Sequence, residues 1–320
     1  MRKLLLIMAL AVCYFFGHAQ SKEMELSSDF SEREIVVHTS SGNLYGTLVI
    51  PVNNELGIIA LIIPDFGLTD RDGNSPQAGE NNSLKMLAED LAREGISTLR
   101  LEKREVSESK NSAIVKSGVR IEDMAEDAVS WLRFLKKDSR FNKIVVVGHG
   151  EGALVGMLAS EIADIEYFVS IAGLGRPGYD IVEENLISQL ASEQMDTARM
   201  YIEELKKGII VEDVAPSLAS IFNRSMQSYL ASWFKYNPTV EIANLKANVL
   251  LVQGTDDLQV NSDDIVQLSA AFSKAKEVLI EGMNHTLRDS KEEKSGSKGE
   301  NPQLQIADGL VKAIADFLKE

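Results

Sequence analysis

The segment Gly148-His149-Gly150-Glu151-Gly152 is the first part of this 320-residue sequence that could support chemistry. It follows the apolar run KIVVVG and precedes the helical pattern EGALVGMLASEI, which predicts a sharp strand-to-helix turn. In the pattern G-x-S-x-G, such a turn lifts a nucleophilic serine above the edge of a sheet. Here Gly150 stands at the middle position. The pattern therefore indicates a nucleophile turn without its nucleophile, with a plain glycine-rich helix start as the alternative.

Two polar residues further along the chain also follow predicted strands. Asp257 comes just after ANVLLVQG, and His285 comes just after KEVLIEG. The carboxyl ends of parallel strands meet at one edge of a sheet, so both side chains would lie near the turn. A histidine placed there can act as a general base whose tautomer a carboxylate fixes. Asp256 competes for the role of the acid, although the spacing from the preceding glycine favours Asp257.

The elements that must position these residues alternate between strand and helix over most of the chain. Two strand-like runs, EREIVVHT and NLYGTLVIP, come first, and the continuously apolar run GIIALIIP follows as a strand buried on both faces. Alternating strands and helices predict a mostly parallel central sheet with helices on both faces. Residues 176 to about 238 break this rhythm because they are helical in pattern and contain no apolar strand. We interpret them as a helical cap inserted into the domain.

Residues 1–19 have the pattern of a secretory signal peptide. A basic start at Arg2 and Lys3 is followed by an apolar run, and small residues precede a predicted cleavage before Gln20. The apolar run is short for a membrane anchor, which is the alternative. The prediction is an exported protein, in the periplasm or outside the cell, whose single domain covers residues 20–320 and does not span the membrane.

Charge and cysteine content restrict the partners of the mature chain. Cys13 is the only cysteine, so a chain cleaved before Gln20 has none and depends on its core for stability. That chain has 31 basic and 48 acidic residues, a net charge of −17. Such an acidic protein is a poor partner for nucleic acid and for anionic membrane surfaces. A small neutral ligand is compatible with this charge.

Several segments between GTLVIP and the last helix resemble one known family. They are LTDRDGN, NNSLKMLAEDLA, LEKREVSES, VVGHGEGALVGMLAS, SWFKYNP, LVQGTDDLQV and EGMNHTL. Together they resemble secreted α/β-hydrolases of the esterase and serine-aminopeptidase type. The resemblance implies an α/β-hydrolase fold with a capped pocket, and the order of turn, acid and histidine agrees with it.

The resemblance also implies a role for each matching residue. Gly150 takes the position of the nucleophile, which is serine in the family pattern G-H-S-E-G. Asp257 matches the acid and His285 matches the base. The backbone N–H groups of Glu151 and Phe66 match the donors of the oxyanion hole.

The chain departs from the family pattern at other loops of the site. After the strand ALIIP the family has G-S-G-P, where this chain has Asp65 and the bulky Phe66. After LEKR the family has G-I-G-E-S, where this chain has EVSES beginning at Glu105. A carboxylate at Asp65 has the wrong charge for an oxyanion hole. We predict that Asp65, His149 and Trp233 line the pocket.

Cofactor and metal motifs are weak in this sequence. GLGRPG fits a dinucleotide pattern but contains a proline and leads into no recognisable helix. In DRDGN, Gly73 stands too early for a calcium loop. The histidines of the mature chain, His38, His149 and His285, lack the spacing of metal ligands. No cofactor and no metal are predicted.

Three functions are compatible with the sequence. The first is a protein of esterase ancestry that has lost serine chemistry and binds a small ester-like or acyl ligand, or a protein partner, through its pocket. The second is an enzyme in which the pair Asp257 and His285 acts as a general base without a covalent nucleophile. The third is an active esterase with another nucleophile, such as Ser107 or Thr69.

Overall fold

The computed structural model describes residues 23–26, 29–112, 118–291 and 304–320. The predicted signal peptide, residues 1–19, lies outside the described residues. Nine strands form one sheet in the order β1-β2-β3-β5-β4-β6-β7-β8-β9. The strands are Glu23–Leu26, Phe30–Thr39, Gly42–Pro51, Ile58–Ile63, Ser97–Leu101, Lys143–His149, Tyr167–Ile171, Asn248–Gly254 and Lys276–Ile280, numbered β1 to β9.

The described helices lie between and after these strands. Numbered α1 to α9, they are Ser83–Arg93, Ile121–Leu135, Glu151–Ala163, Gly178–Ile187, Ser192–Lys206, Arg224–Trp233, Pro238–Asn244, Ser262–Ala271 and Leu310–Lys319. Two short 3-10 helices cover Ser107–Ser112 and Pro216–Leu218. Among the described residues, no helix combines the length and apolar composition that a membrane crossing requires.

The predicted mostly parallel sheet is confirmed. The six strands β5, β4, β6, β7, β8 and β9 run parallel to one another, whereas β1, β2 and β3 pair antiparallel at one edge and β3 is antiparallel to β5. Every residue of β4 is buried, as its uninterrupted apolar sequence predicts. Buried strands of this kind need helices on both faces, which supply two separate cores.

The two cores lie on opposite faces of the sheet. On one face, α2, α3 and α8 pack with apolar side chains of the helical cap. On the other face, α1 and α9 cover side chains such as Ile62, Val147 and Val252 from the central strands. Helix α1 begins at Ser83, and Asn82 precedes it in a left-handed conformation with φ of 52°.

The segment between β7 and β8 contains α4 to α7 and no described strand. We refer to these four helices as the cap. Helix α6 contacts α2, and α7 contacts α3 and α8, so the cap packs on the helices of one face of the sheet.

The register of the sheet brings four loops together at one edge. Ile63 at the end of β4 pairs with Gly148 of β6, and Gly254 at the end of β8 pairs with Ile280 at the end of β9. Parallel strands ending at similar heights place their following loops side by side. These loops carry the residues that the sequence singles out.

Candidate active site

The turn between β6 and α3 has the sharp geometry expected from its glycines. Gly150 has φ of 55° and ψ of −120°, a conformation that a residue with a side chain adopts only with strain. A Cβ atom on Gly148 would overlap the backbone of the first turn of α3, and one on Gly152 would overlap carbonyl oxygens at the end of β4. The flanking glycines therefore allow the helix to pack closely against the sheet.

The predicted acid and base are in direct contact. Asp257 Oδ2 lies 2.8 Å from His285 Nδ1, and its Oδ1 accepts backbone hydrogen bonds from Gln259 and Val260 at 2.8 and 2.9 Å. Asp256 instead accepts a hydrogen bond from the Ser290 hydroxyl. The structure thus pairs Asp257, rather than Asp256, with the histidine.

The carboxylate of Asp65 occupies the place of a nucleophilic serine side chain. A Cβ atom added to Gly150 would overlap Cγ and Oδ1 of Asp65 and lie 3.1 Å from Oδ2. Asp65 Oδ2 is 2.9 Å from His285 Nε2, and Oδ1 accepts the backbone N–H of Glu151 at 2.8 Å. The backbone N–H of Phe66 also stabilises this carboxylate. Both N–H groups predicted to hold an oxyanion are therefore directed at Asp65.

The two carboxylates hold His285 in its charged form. Burial by itself would lower the pKa of His285, but the hydrogen bonds and charges of Asp257 and Asp65 outweigh burial and raise the pKa to about 10. Burial would raise the pKa of each carboxyl, and the contact with His285 instead lowers the pKa of both. At neutral pH the site is a cluster of one imidazolium and two carboxylates.

His149 packs against His285 but is itself uncharged at neutral pH. Its ring lies 4.8 Å from the ring of His285, centroid to centroid, and its Nε2 is 3.0 Å from the backbone oxygen of His285. Burial, followed by the nearby imidazolium, lowers the pKa of His149 to about 4. A neutral His149 protonated at Nε2 therefore donates to His285, and within the described part of the chain its Nδ1 has no hydrogen-bond partner.

A pocket of about 210 Å³ is lined by residues next to this cluster and by residues of α6 in the cap, but the three residues predicted to line it, Asp65, His149 and Trp233, do not. Phe66 is 47% exposed, and its ring centroid is 5.7 Å from that of Tyr229 and 6.2 Å from that of Trp233. Trp233 is buried within this aromatic group. The pocket lining, mixed apolar and charged, comprises Phe66, Gly67, Leu68, Lys103, Arg104, Glu105, Gly118, Val119, Met124, Glu151, Ser225, Met226 and Tyr229.

Two contacts connect the pocket wall to the turn and were not predicted from the sequence. The Tyr229 hydroxyl, on α6 of the cap, donates to the Glu151 carboxylate, and Lys103 Nζ donates to the backbone oxygen of Asp65. Burial lowers the pKa of Lys103 and raises the pKa of Glu151. The only sequence signal for these residues is their position beside the predicted site loops.

The alternative hydroxyl nucleophiles do not bond to the base. The hydroxyl of Thr69 donates to the backbone oxygen of Phe66 at 2.7 Å, and Ser107 is exposed in a 3-10 helix. Both ring nitrogens of His285 already have carboxylate partners. In this arrangement neither hydroxyl has a base to activate it.

The loop that carries EVSES in place of G-I-G-E-S keeps a glycine-like backbone. Glu105 and Ser107 have φ of 65° and 42°, so both lie in the left-handed region. A residue with a side chain costs roughly 1–2 kcal/mol there. The loop thus has the conformation expected of the glycine-rich sequence, together with the strain of two side chains.

No family model matches this chain. It is 26% identical over 286 residues to esterase EstD of Thermotoga maritima, a match that covers 85% of this chain and 65% of the length of that esterase.

Solved structures with similar folds include Est1E of Butyrivibrio proteoclasticus with bound ferulic acid, with a TM-score of 0.57 and 17% identity over 89% of this chain and 96% of that one. The α/β-hydrolase GrgF of a Penicillium species has a TM-score of 0.57 and 16% identity over 90% of this chain and 98% of that one. At these identities the structures establish the fold alone.

Within the described residues, no group of three or more His, Cys, Asp or Glu side chains is arranged to hold a metal ion. The site instead has a charged cluster at the turn, a pocket with apolar and charged walls beside it, and backbone N–H donors that already bond to Asp65. The topology, the turn and the similarity to EstD agree with one another. This chain has the α/β-hydrolase fold, and its sequence is similar to that of an esterase.

Proposed function

We propose that this protein has lost serine ester hydrolysis and binds a small apolar ligand, ester-like or acyl in character, in the pocket beneath its cap. One observation carries the proposal. The Asp65 carboxylate fills the volume that a side chain at Gly150 needs and occupies the backbone donor of Glu151. A substrate carbonyl therefore finds neither a nucleophile nor a free oxyanion hole.

Electrostatics supports the loss of acyl transfer. The carbonyl oxygen becomes negative in the transition state, and a fixed carboxylate beside it opposes that charge. His285 is protonated at neutral pH because its pKa is about 10, so it cannot accept a proton from water or from a hydroxyl. The same protonation counts against the second function considered, in which the pair with Asp257 acts as a general base.

The pocket retains the character of a ligand site. Its walls include the apolar side chains of Phe66, Leu68, Met124 and Met226, together with buried charged residues. Apolar walls with a few polar groups at one end are typical of small-molecule sites. At about 210 Å³ the space suits a short acyl chain or a single ring. A protein partner bound through the same surface is the competing proposal.

Loss of hydrolysis can be tested with p-nitrophenyl butyrate and a fluorophosphonate probe. We expect no turnover above the buffer control and no labelling, because removal of a triad serine costs roughly a million-fold in kcat. Saturable turnover that disappears in His285→Ala would contradict the proposal and restore the general-base function.

Ligand binding can be tested by the thermal unfolding midpoint in the presence of ethyl hexanoate or hexanoate. We expect an upward shift that is lost in Met226→Trp, since this side chain lines the pocket and tryptophan would fill it. Met200→Trp is the matched control, because Met200 lies exposed on α5. No shift in the unmodified protein, or an equal shift in both variants, would argue against ligand binding in this pocket.

Export remains part of the proposal because of the signal-like pattern of residues 1–19. The intact mass of protein recovered from its native host should correspond to a chain that begins at Gln20. A mass that includes residues 1–19 would contradict export with cleavage.

A further inference from the structure

Lys103 is a basic side chain buried in the wall of the pocket. It lies two residues after β5, lines the pocket and is 8% exposed. Its Nζ donates to the backbone oxygen of Asp65, which carries no charge. The neighbouring Arg104, by contrast, pairs with the carboxylate of Asp127. Within the residues that the structure describes, Lys103 forms no ion pair.

Burial without an ion pair favours the neutral amine of Lys103 over its ammonium form. Removal of an ammonium group from water costs several kcal/mol unless a paired carboxylate compensates the charge. Burial accordingly lowers the pKa of Lys103, although the charges of nearby carboxyl groups, chiefly Glu151, oppose this effect. A neutral amine can donate one N–H to the Asp65 oxygen and keep its lone pair free. A desolvated lysine of this kind is a nucleophile towards carbonyl carbon.

Glu151 places a carboxyl group in the same pocket wall. It is 2% exposed, the Tyr229 hydroxyl donates to its Oε2, and no described residue bonds to its Oε1. Burial raises the pKa of Glu151, so this carboxyl keeps its proton to a higher pH than an exposed one. Glu151 and Lys103 do not form an ion pair with each other. A small polar group of a ligand can therefore lie between the carboxyl and the amine.

We infer that Lys103 is an imine-forming amine and that the pocket takes small apolar ketones and aldehydes, with Glu151 as the proton donor. The inference deepens the proposed function by naming carbonyl compounds as a ligand class, and it rests on the same pocket. It does not depend on the loss of ester hydrolysis, because attack of an amine on a ketone requires neither a serine nor His285.

In the first step, the lone pair of Lys103 Nζ attacks the carbonyl carbon of the ligand. A bond forms between nitrogen and carbon, and the π electrons of the carbonyl move to its oxygen, which takes the proton of Glu151. The nitrogen then passes one of its protons to the Glu151 carboxylate. The product is a neutral carbinolamine, and Glu151 is protonated again.

In the second step, the nitrogen lone pair expels the hydroxyl group, which takes the Glu151 proton and leaves as water. The bond from carbon to oxygen breaks, and a double bond forms between carbon and nitrogen. The protonated imine returns its proton to Glu151. The net reaction converts an amine and a ketone into an imine and one water, and it needs no oxidant or reductant.

The apolar part of the pocket suits the substituents of such a carbonyl compound. Phe66, Met124 and Met226 line it, and its volume of about 210 Å³ admits a ligand of a few carbon atoms. Water would hydrolyse the imine, so apolar walls near Lys103 favour the covalent product over the free ketone. The pocket therefore favours small, uncharged carbonyl compounds.

The experiment treats the full chain with pentane-2,4-dione at neutral pH. The imine of this diketone shifts a proton from carbon to nitrogen and becomes an enaminone, which absorbs in the near ultraviolet. We expect one adduct per chain, located on Lys103 by mass spectrometry of its peptide, at a diketone concentration that leaves other lysines unmodified. Lys103→Met should abolish the absorbance. Glu151→Gln should slow its appearance by roughly 100- to 10,000-fold, the range for a positioned proton donor.

Lys136→Met is the matched control. Lys136 Nζ also donates to a backbone oxygen, that of Ala163, but Lys136 is exposed on the surface. This variant should form the adduct at the rate of the unmodified protein. Met226→Trp, which fills the pocket, should prevent the adduct, whereas Met200→Trp on the exposed face of α5 should not.

An adduct on a lysine other than Lys103, or no adduct on the unmodified protein, would overturn the inference. An unchanged rate in Glu151→Gln would overturn the role of Glu151 as proton donor. The adduct on Lys103 of the unmodified protein is located without reference to any variant, so a misfolded variant leaves the test intact. Failure here leaves the proposed function in place if hexanoate still shifts the unfolding midpoint. A Lys103 adduct without that shift would instead contradict the binding of acyl ligands.

Discussion

The two halves of the candidate site have diverged to different degrees. The half after β8 and β9 keeps the pair Asp257 and His285 in the contact expected for an acid and a base. The half after β4 and β6 keeps the backbone of the turn, but Gly150 has no side chain and Asp65 takes its place. The comparison shows that the contact between the acid and the histidine is complete, whereas the turn beside them has no side chain at Gly150.

The two halves also differ in what a substitution would cost. The Asp257 side chain is almost fully buried, so removing either partner would leave an uncompensated buried charge. Gly150 relieves the strain that a side chain has at its positive φ. Asp65 in turn gives the imidazolium a second counter-charge. Asp257 and His285 thus form an ion cluster together with Asp65.

Placing a serine at Gly150 and removing Asp65 should produce the largest effect, a gain of labelling and of ester hydrolysis. Gly150→Ser alone should show no fluorophosphonate labelling, because Asp65 fills the space of the new side chain. Gly150→Ser combined with Asp65→Gly should gain labelling and ester turnover, since the change frees the backbone donor of Glu151. One such donor is worth roughly 100- to 1,000-fold in kcat.

The control for this series is Asp65→Gly with Gly150 retained, which should be neither labelled nor active. Equal labelling of the single serine variant and of the double variant would mean that Asp65 does not block the turn. The measurements are labelling after gel separation and turnover of p-nitrophenyl butyrate.

Substitution of His285 should mainly lower the free energy of unfolding. His285→Asn removes the cation between two carboxylates, and loss of one partner of a buried ion pair costs roughly 3–5 kcal/mol in the free energy of unfolding. Urea unfolding at neutral pH measures this cost. A loss below about 1 kcal/mol, the value typical of surface pairs, would show that the cluster is not a stabilising feature.

The cluster also predicts how stability depends on pH. The pKa of His285 is about 10 in the folded protein against 6.5 for an ordinary histidine, so its contribution is complete below about pH 6.5 and is lost as the pH rises towards 10. The pKa values of Asp65 and Asp257 are lowered, so their contributions are present above about pH 4 and are lost on acidification. Stability from this cluster is therefore greatest between these limits.

Urea unfolding across about pH 4 to pH 10 tests this dependence. Each pKa unit corresponds to about 1.4 kcal/mol, so the decrease at alkaline pH should amount to several kcal/mol. His285→Asn is the control, because it lacks the titrating group and its alkaline decrease should be smaller. Parallel curves for the two proteins would contradict the raised pKa of His285.

A direct comparison of the two carboxylates should give a smaller difference. Asp257→Ala should destabilise the fold more than Asp65→Ala, because both carboxylates accept backbone hydrogen bonds but the Asp257 side chain is more deeply buried, so the groups it leaves unpaired are further from water. We expect a difference of about 1–3 kcal/mol in the free energy of unfolding. Equal losses would mean that both carboxylates act only through their charge on His285.

The smallest predicted effect concerns the strained loop beside the pocket. Glu105→Gly should stabilise the protein by about 1 kcal/mol, because Glu105 is exposed and its φ of 65° disfavours a side chain. Gly67→Ala is the converse control, since its φ is 70° and no atom would lie within 4 Å of the added Cβ. It should lose about the same amount. Chemical unfolding midpoints of both variants distinguish backbone strain from lost contacts.

The periodicity of apolar residues and the turn residues in the sequence were sufficient to predict the sheet, the turn at Gly150 and two of the site residues. The apolar run of β4 and the alternation of strands and helices predicted the parallel sheet, because burial on both faces requires such sequences. The glycines around Gly150 predicted the turn, since only small residues let α3 approach the sheet. Asp257 and His285 could be singled out because each follows the end of a strand.

Only the tertiary structure decided what Asp65 does. The sequence places this residue in the loop after β4, far along the chain from Gly150, and its charge predicted a hindered oxyanion hole. That its carboxylate enters the volume of the missing side chain, bonds to His285 and takes the Glu151 donor depends on the register of β4 against β6 and on the heights of four loops. Local sequence does not predict such distances, because they arise only when separate segments of the chain pack together.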